Sequence, residues 1–332
     1  MMPTMRAYRL VEPGEMRFQE IAMPQPGEGD ALIRVHACGV CGTDLHLKQR
    51  GHHDWRGDAL TLGHEIVGEV VQPTQRVGEW VVVDPQIVCG NCFYCRRGRL
   101  NLCDQLEHVG ISVDGGFAEY LRVPLRNLYR LPEGVAPEAR WQFALVEPVA
   151  TCVAAMNLAN PRPDESVAVV GLGFFGQVFL QLARLWGVQQ RFGLDPLAHR
   201  REVAQQLSDA TVLHPDEARG RSLQAKVVID AAGSPDAADT CVRVASKAGR
   251  IVVFGYRPEP VQLDWYAITL KELCIVGSRS SNHAWEQSLH LVASGALQLR
   301  PLTHLYAFEE ADEAFQAAQT RQVFKPVLLI SA

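Results

Sequence analysis

The segment that constrains the fold most is SVAVVGLGFFGQVFLQLARLWGV, residues 166–188. It contains a short apolar run from Val167 to Val170, then glycines in a G-x-G-x-x-G pattern, then a helical stretch. A strand, a glycine-rich turn and a helix in this order begin a βαβ unit that binds a dinucleotide. Glycine permits the tight turn and the close approach of a pyrophosphate to free backbone N–H groups at the helix start. The segment therefore predicts a doubly wound, parallel α/β domain.

An acidic residue downstream of the glycines indicates which dinucleotide the domain prefers. Asp195 ends the stretch RFGLD, where such domains place a carboxylate on the hydroxyls of the adenosine ribose. A carboxylate there repels a 2′-phosphate, so we predict that the domain prefers NAD to NADP. The positive charges of Arg200 and Arg201 would make this preference smaller. The predicted cofactor-binding residues are Gly171, Gly173, Phe174, Phe175, Gly176, Asp195 and Arg200.

Further apolar runs at residues 211–214, 226–233, 249–256 and 272–278 fit the strand spacing of the same sheet, with helical stretches between them. The N-terminal third differs, because it shows short strand-like runs with many glycines and prolines and no βαβ rhythm. At 332 residues the chain is longer than most single cores. Two architectures therefore share one chain.

Four cysteines lie close together in CGNCFYCRRGRLNLC, residues 89–103. Cys89, Cys92, Cys95 and Cys103 have the spacing C-x2-C-x2-C-x7-C, which suits a closed, tetrahedral, structural zinc site. An iron–sulfur cluster is disfavoured because Asp104, not proline, follows the last cysteine. Disulfides are disfavoured because the total of nine cysteines is odd and the N-terminus does not resemble a secretion signal, so we expect a cytoplasmic protein with reduced thiols.

A second group of metal-binding residue types begins in CGVCGTDLH. Cys38 and Cys41 form a C-x-x-C pair, which by itself also suits a redox site. His64 and Glu65 follow in LGHEIVGEVV, and Glu147 follows in LVEPVA. One sulfur, one imidazole and one or two carboxylates make an open zinc shell that leaves a position for substrate.

Other features exclude or weaken competing functions. The net charge of −5 argues against a nucleic-acid footprint over the whole chain, and no uninterrupted apolar run appears long enough to cross a bilayer. Arg96, Arg97 and Arg99 in the cysteine-rich lobe leave open a zinc-binding interaction or nucleic-acid module as the alternative function. A zinc-free reductase is a second alternative. The remaining cysteines, Cys152, Cys241 and Cys274, are expected in the core.

The order of CGVCGTDLH, LGHE, the four-cysteine lobe, GGFAEY, VEP and GLGFFG resembles the zinc-containing medium-chain alcohol and polyol dehydrogenases over essentially the full length. The resemblance implies a GroES-like, β-rich catalytic domain at residues 1–149, a Rossmann NAD-binding domain at 150–282, and a C-terminal segment, 283–332, that completes the catalytic domain. It implies two zinc ions per chain, NAD, a small alcohol or ketone substrate, and a homodimer or homotetramer.

The resemblance also implies residue roles. Zinc held by Cys41, His64 and a carboxylate would polarise the substrate oxygen while hydride passes to the nicotinamide, and Thr43 and His46 would relay the released proton. Glu147 stands where the best-known alcohol dehydrogenases have a second cysteine, as in polyol, butanediol and threonine dehydrogenases. This harder donor set suits oxygen-rich substrates. Pocket residues are expected in two loops, with candidates His52, His53, Trp55 and Arg279.

Overall fold

The computed structural model describes residues 3–51, 59–256 and 260–331. The chain divides into two compact units. The first unit combines Met1–Pro148 with Trp285–Ala332, and the second is Val149–Ala284. The two ends of the chain therefore belong to one unit although the whole second unit separates them in sequence.

Short strands build the N-terminal part of the first unit. Ile33 and Val35 are buried while Arg34 between them is exposed, because successive side chains of a strand point to opposite faces of the sheet. One helix, α1 (Gly42–Arg50), follows the third strand. The strands are β1 (Thr4–Glu12), β2 (Glu15–Ala22), β3 (Asp30–Gly39), β4 (Leu60–Thr61), β5 (Glu65–Gln72), β6 (Trp80–Val83), β7 (Gln86–Ile87), β8 (Glu107–His108), β9 (Tyr120–Pro124) and β10 (Leu128–Arg130).

A helical segment leads from the first unit into the second. It consists of a 3-10 helix, Pro137–Leu145, and α2 (Val146–Ala159). By length and composition alone Pro137–Ala159 could cross a membrane, but Glu147 interrupts its apolar sequence, so it is not the uninterrupted apolar run that the sequence analysis excluded. Its most apolar window is 78% buried within the protein, as expected for a core helix.

The second unit is a parallel sheet with helices in the connections. The strand order is β13-β12-β11-β14-β15-β16, and every neighbouring pair is parallel. This order confirms the predicted doubly wound fold. Its strands are β11 (Ser166–Val170), β12 (Gln190–Leu194), β13 (Thr211–Leu213), β14 (Ala225–Asp230), β15 (Ala245–Val253) and β16 (Cys274–Gly277). Its helices are α3 (Phe174–Leu185), α4 (Ala198–Ser208), α5 (Pro215–Gly220), α6 (Pro235–Val244) and α7 (Trp265–Lys271).

The C-terminal segment returns to the first unit. It contains α8 (Trp285–Ala293), β17 (Thr303–Ala307), α9 (Ala311–Gln319) and β18 (Lys325–Leu329). Strand β18 pairs antiparallel with β3, with Val327 opposite Gly39 and Leu328 opposite Cys38. The resulting sheet runs β10-β6-β5-β3-β18-β17, with β9 also paired to β3. Strand β18 is therefore next to the strand that leads to Cys41.

Candidate active site and nucleotide loop

Three buried side chains of the first unit bring potential metal donors together. Cys41, His64 and Glu65 each offer one donor atom, and these atoms all lie within 4.8 Å of one another. Cys41 precedes α1, whereas His64 and Glu65 stand at the start of β5. The β3–β5 register places Glu65 directly opposite Gly39, two residues before Cys41. Sheet pairing thus brings together residues that are far apart in sequence.

Two glycines leave room for this arrangement. Gly63 has a φ of +92°, and a Cβ atom there would lie 2.8 Å from Cys38 Sγ. A Cβ atom at Gly39 would lie 2.0 Å from Glu65 Oε2. Because real Cβ contacts are not that short, the carboxylate of Glu65 depends on the missing side chain at Gly39.

Asp44 supports the cluster from α1 and was missed in the sequence. Its buried carboxylate accepts hydrogen bonds from the Cys41 N–H at 2.8 Å and the Gly63 N–H at 3.3 Å. Its Oδ1 also lies 3.5 Å from His64 Nδ1. Burial opposes the charged form of His64, but attraction to Asp44 and Cys41 outweighs it and raises the pKa of the imidazole well above its usual value. The surroundings of His64 therefore favour positive charge.

Lys325, the first residue of β18, is a second residue of the site that no sequence motif indicated. Its side chain is 3% exposed, and its Nζ donates to Glu65 Oε1 at 2.7 Å. Burial opposes the ammonium form, yet attraction to Glu65 and Cys41 prevails and raises the pKa of Lys325. Within the described chain, Glu65 Oε2 and His64 Nδ1 have no hydrogen-bond partner.

Glu147 interacts electrostatically with this cluster but does not belong to the group of donor atoms that lie within 4.8 Å of one another. It is buried in the first turn of α2, and the close donor group contains Glu65 rather than Glu147. The pKa of Glu147 is raised to about 8, chiefly by burial and also by the charge of Glu65, against the opposing effects of His64 and Lys325. These electrostatic contacts show that Glu147 faces the same charged neighbourhood.

The predicted proton-relay residues lie on α1, which begins directly after Cys41. Thr43 Oγ1 lies 3.8 Å from Cys41 Sγ, and His46 is one helical turn beyond Thr43. His108 on β8 adds a third imidazole, because its ring centroid is 5.8 Å from that of His64. No motif marked His108; only the pairing of β7 with β8 brings it there.

The donor set fits zinc. A thiol, an imidazole and a carboxylate are the ligand types of catalytic zinc sites, which keep a further position open. The buried and unpartnered Oε2 of Glu65 is costly unless a cation or another partner satisfies it. The chemistry of these residues therefore matches the predicted catalytic metal.

The four lobe cysteines also form one donor group, with all sulfur atoms within 4.8 Å of one another. Cys89 Sγ and Cys103 Sγ are 3.5 Å apart, close to the edge of about 3.8 Å expected for a zinc–sulfur tetrahedron. The Cys95 N–H donates to Cys92 Sγ at 3.4 Å, and such bonds lower the pKa of Cys92 to about 6. Stabilised thiolates are what a zinc site requires. In the same lobe, Arg97 lies over the Phe93 ring.

The predicted glycine loop lies between β11 and α3. A Cβ atom at Gly171 would lie 2.6 Å from Ala232 Cβ, and one at Gly176 would lie 1.9 Å from Gly171 O. A Cβ atom at Gly173 would meet nothing within 4 Å. Gly171 and Gly176 are therefore required by packing, whereas Gly173 leaves open space at the start of α3. Phe174 and Phe175 begin the helix, and Phe175 packs on Phe254.

Asp195 follows β12, as the spacing predicted, but its carboxylate is 3% exposed and already bonded. Oδ2 accepts from the Leu172 N–H and Oδ1 from the Leu197 N–H, both at 2.8 Å. Arg200 Nη1 lies 3.7 Å from Oδ2. Arg201 donates to the backbone oxygen of Asp195. The residue therefore also ties the glycine loop to the end of β12.

The remaining candidates have mixed outcomes. All nine cysteines are free, and burial raises the pKa of Cys38 well above its usual value, which does not suit the redox interpretation of Cys38 and Cys41. Cys152 and Cys241 are buried as expected. Cys274 is exposed, and the expectation of a core position was wrong because it begins the edge strand β16. The pocket candidates His52, His53 and Trp55 lie outside the described residues, and Arg279 follows β16.

Comparisons with known proteins agree with this geometry. Residues 27–133 match the alcohol dehydrogenase GroES-like domain, and residues 175–294 match the zinc-binding dehydrogenase domain. The L-threonine 3-dehydrogenase of Pyrococcus abyssi is 31% identical over 94% of both chains. The L-galactonate-5-dehydrogenase of Escherichia coli is 31% identical over 98% of this chain and 99% of its own. A structure of rspB from E. coli CFT073 with NADH has a TM-score of 0.90, at 28% identity over 98% of this chain and 99% of that chain.

Proposed function

The chain belongs to the zinc-containing medium-chain dehydrogenase family, and we propose that it oxidises a secondary alcohol with a polar group next to the reacting carbon, using NAD. The membership makes it a zinc-dependent oxidoreductase that interconverts an alcohol and its carbonyl compound with a nicotinamide cofactor. The observation that carries the finer proposal is the buried group of Cys41, His64 and Glu65. One sulfur with nitrogen and oxygen donors is a harder set than two sulfurs with one nitrogen.

In the proposed site, Cys41, His64 and one carboxylate hold zinc, and the four lobe cysteines hold a second, structural zinc. When bound, zinc polarises the substrate oxygen and NAD accepts the hydride. Glu65 is the carboxylate that lies close to Cys41 and His64, and Glu147 is a second carboxylate in the same charged neighbourhood. Asp44 orients Cys41 and His64 through the contacts described above. Such outer partners fix the direction in which a ligand points.

The proton from the substrate hydroxyl has a route along α1. Thr43 lies beside Cys41 in the first helical turn and can accept the proton while donating its own. His46, one turn further, is partly exposed and can pass it to water. Two electrons and one proton leave as hydride, and the second proton leaves by this route, so the oxidation is balanced.

The polar surroundings support a substrate with more than one oxygen or nitrogen. His108 lies beside His64, and Gln86, its partner in the β7–β8 pair, is buried. An imidazole and an amide side chain offer hydrogen-bonding groups that a simple aliphatic alcohol, with its single hydroxyl, uses less fully than a substrate with several polar groups. The threonine and galactonate dehydrogenases named above act on hydroxylated acids, which is consistent with this class.

We also propose a homodimer formed through the second unit. Strand β16 is an edge of its sheet, and Ile275 on it is 37% exposed. Trp265 and Tyr266 on α7 are 73% and 74% exposed. An exposed edge strand and large exposed apolar side chains are both surfaces that proteins usually cover. Light scattering after size exclusion would show about twice the monomer mass, whereas a monomer would contradict this proposal.

The test of the proposed reaction is a panel of substrates assayed with NAD and with NADP. We expect polyols, diols and 3-hydroxy-2-amino acids to be oxidised with a higher kcat/KM than simple secondary alcohols of the same length, and NAD to be preferred. Cys41→Ser should abolish turnover and remove one zinc per chain. Turnover that survives this substitution would contradict the assigned centre.

A further inference from the structure

The buried pair of Lys325 and Glu65 is not explained by the proposed reaction, because an ammonium group beside a metal site repels the cation. Burying two charges costs free energy that only close, well-directed partners offset. The side chains are 3% and 0% exposed, and the distance from Nζ to Oε1 is 2.7 Å. A pair in this position therefore needs a specific role.

The sheet places Lys325 where it can act on only one oxygen of Glu65. Val40 N donates to Pro326 O at 3.0 Å, which fixes the start of β18 beside the end of β3. Lys325 Nζ also reaches Val40 O at 3.4 Å, so the ammonium group is anchored on the backbone as well as on Oε1. The other oxygen, Oε2, lies in the space over Gly39 and has no hydrogen-bond partner within the described residues.

We propose that Lys325 is a positioning residue for the catalytic metal: it holds Oε1 of Glu65 so that Oε2 is presented toward Cys41 and His64. This inference rests on the proposed function, since it assigns Glu65 to the zinc shell. It follows that Glu65 binds through one oxygen. Without Lys325 both oxygens are free, and the carboxylate can rotate or bind through both.

The experiment compares Lys325→Met with the wild type by zinc affinity, measured by competition with a chromophoric chelator. Met is apolar and similar in length, so it replaces the packing but not the hydrogen bond. We expect the zinc affinity of the catalytic site to fall by roughly tenfold to a hundredfold, as is typical when a hydrogen-bond partner of a metal ligand is removed. Unchanged affinity would overturn the proposal. The zinc in the four-cysteine lobe is the internal control, because its retention shows that the first unit is folded.

A double-mutant cycle separates positioning from general destabilisation. In a Glu65→Gln background there is no charged ligand to position and the unpaired ammonium group repels the metal, so adding Lys325→Met should leave zinc affinity unchanged or raise it. A second loss as large as that in the wild-type background would show that Lys325 does not act through Glu65, and would overturn the inference.

A spectroscopic measurement covers the case in which Lys325→Met does not fold. In Lys325→Arg the positive charge remains, but the longer guanidinium displaces Glu65. With cobalt in the catalytic site, the visible spectrum should differ from that of the wild type, because the carboxylate coordinates differently. An unchanged spectrum would overturn the proposal. If instead Cys41→Ser binds as much zinc as the wild type, the proposed function fails, and that result is distinct from either outcome for Lys325.

Discussion

Gly39→Ala tests how strictly the sheet register fixes the candidate metal site. The new Cβ atom would lie 2.0 Å from Glu65 Oε2 and 3.1 Å from Glu65 Cδ. Ordinary contact begins at 3.4 Å, so the carboxylate must move by about 1.4 Å (3.4 minus 2.0). A shift of that size exceeds the tolerance of the 2.7 Å contact with Lys325.

The expected cost follows from the burial of both charges. Separating one partner of a buried ion pair typically destabilises a protein by about 3–5 kcal/mol. Glu65 and Lys325 are almost completely buried, so neither can turn to water without a backbone shift. We therefore expect Gly39→Ala to lower the free energy of unfolding by about this amount and to reduce zinc at the catalytic site.

Urea unfolding followed by fluorescence, with elemental analysis of zinc, measures both effects. Gly27→Ala is the matched control, because it also lies in the first unit, and its Cβ atom would be 3.6 Å from its nearest neighbour, Asp30 Oδ2. It should change stability by less than about 1 kcal/mol. If Gly39→Ala behaves like Gly27→Ala and keeps its zinc, Glu65 is not held as described.

Four further substitutions test other parts of the structure. Cys103→Ser should remove one zinc and lower stability, measured by elemental analysis and thermal unfolding, and a loss confined to turnover would contradict a structural lobe. Asp195→Asn keeps an oxygen for one N–H donor but removes the charge, so the ratio of kcat/KM for NAD over NADP should fall; a constant ratio would refute the ribose role. Glu65→Gln and Glu147→Gln should each lower turnover by about a hundredfold, as substitutions of other residues around bound metals do. If either variant keeps the zinc content and turnover of the wild type, that glutamate does not bind the catalytic zinc.

Local sequence patterns predicted the elements whose chemistry depends on spacing. Gly171 and Gly176 could be recognised because a strand, a tight turn and a helix lie next to one another in sequence. The same holds for Cys89 to Cys103, whose four sulfurs lie within fifteen residues. In both cases the side chains that act together are neighbours in the chain, so no tertiary information was needed.

The residues that were missed depend on pairing between distant strands. Lys325 and Glu65 meet only because β18 and β5 both flank β3, and no spacing rule connects them. His108 reaches His64 through the β7–β8 pair. Asp44 could have been predicted from the sequence, because it is the third residue after Cys41, a position where an acidic side chain often caps the start of a helix. The signal in the sequence for Lys325 was a lysine at the start of the apolar stretch KPVLLI.

The position of β18 has a consequence for the order in which the site can be assembled during synthesis. Residues 325–329 are synthesised after the entire second unit and long after Cys41, His64 and Glu65. Until then Glu65 has no ammonium partner and β3 lacks its neighbour on one side. A nascent chain therefore exposes an unfinished metal site for most of its translation. Removal of Lys325–Leu329, or a fusion that prevents β18 from pairing with β3, would deprive Glu65 of its ammonium partner.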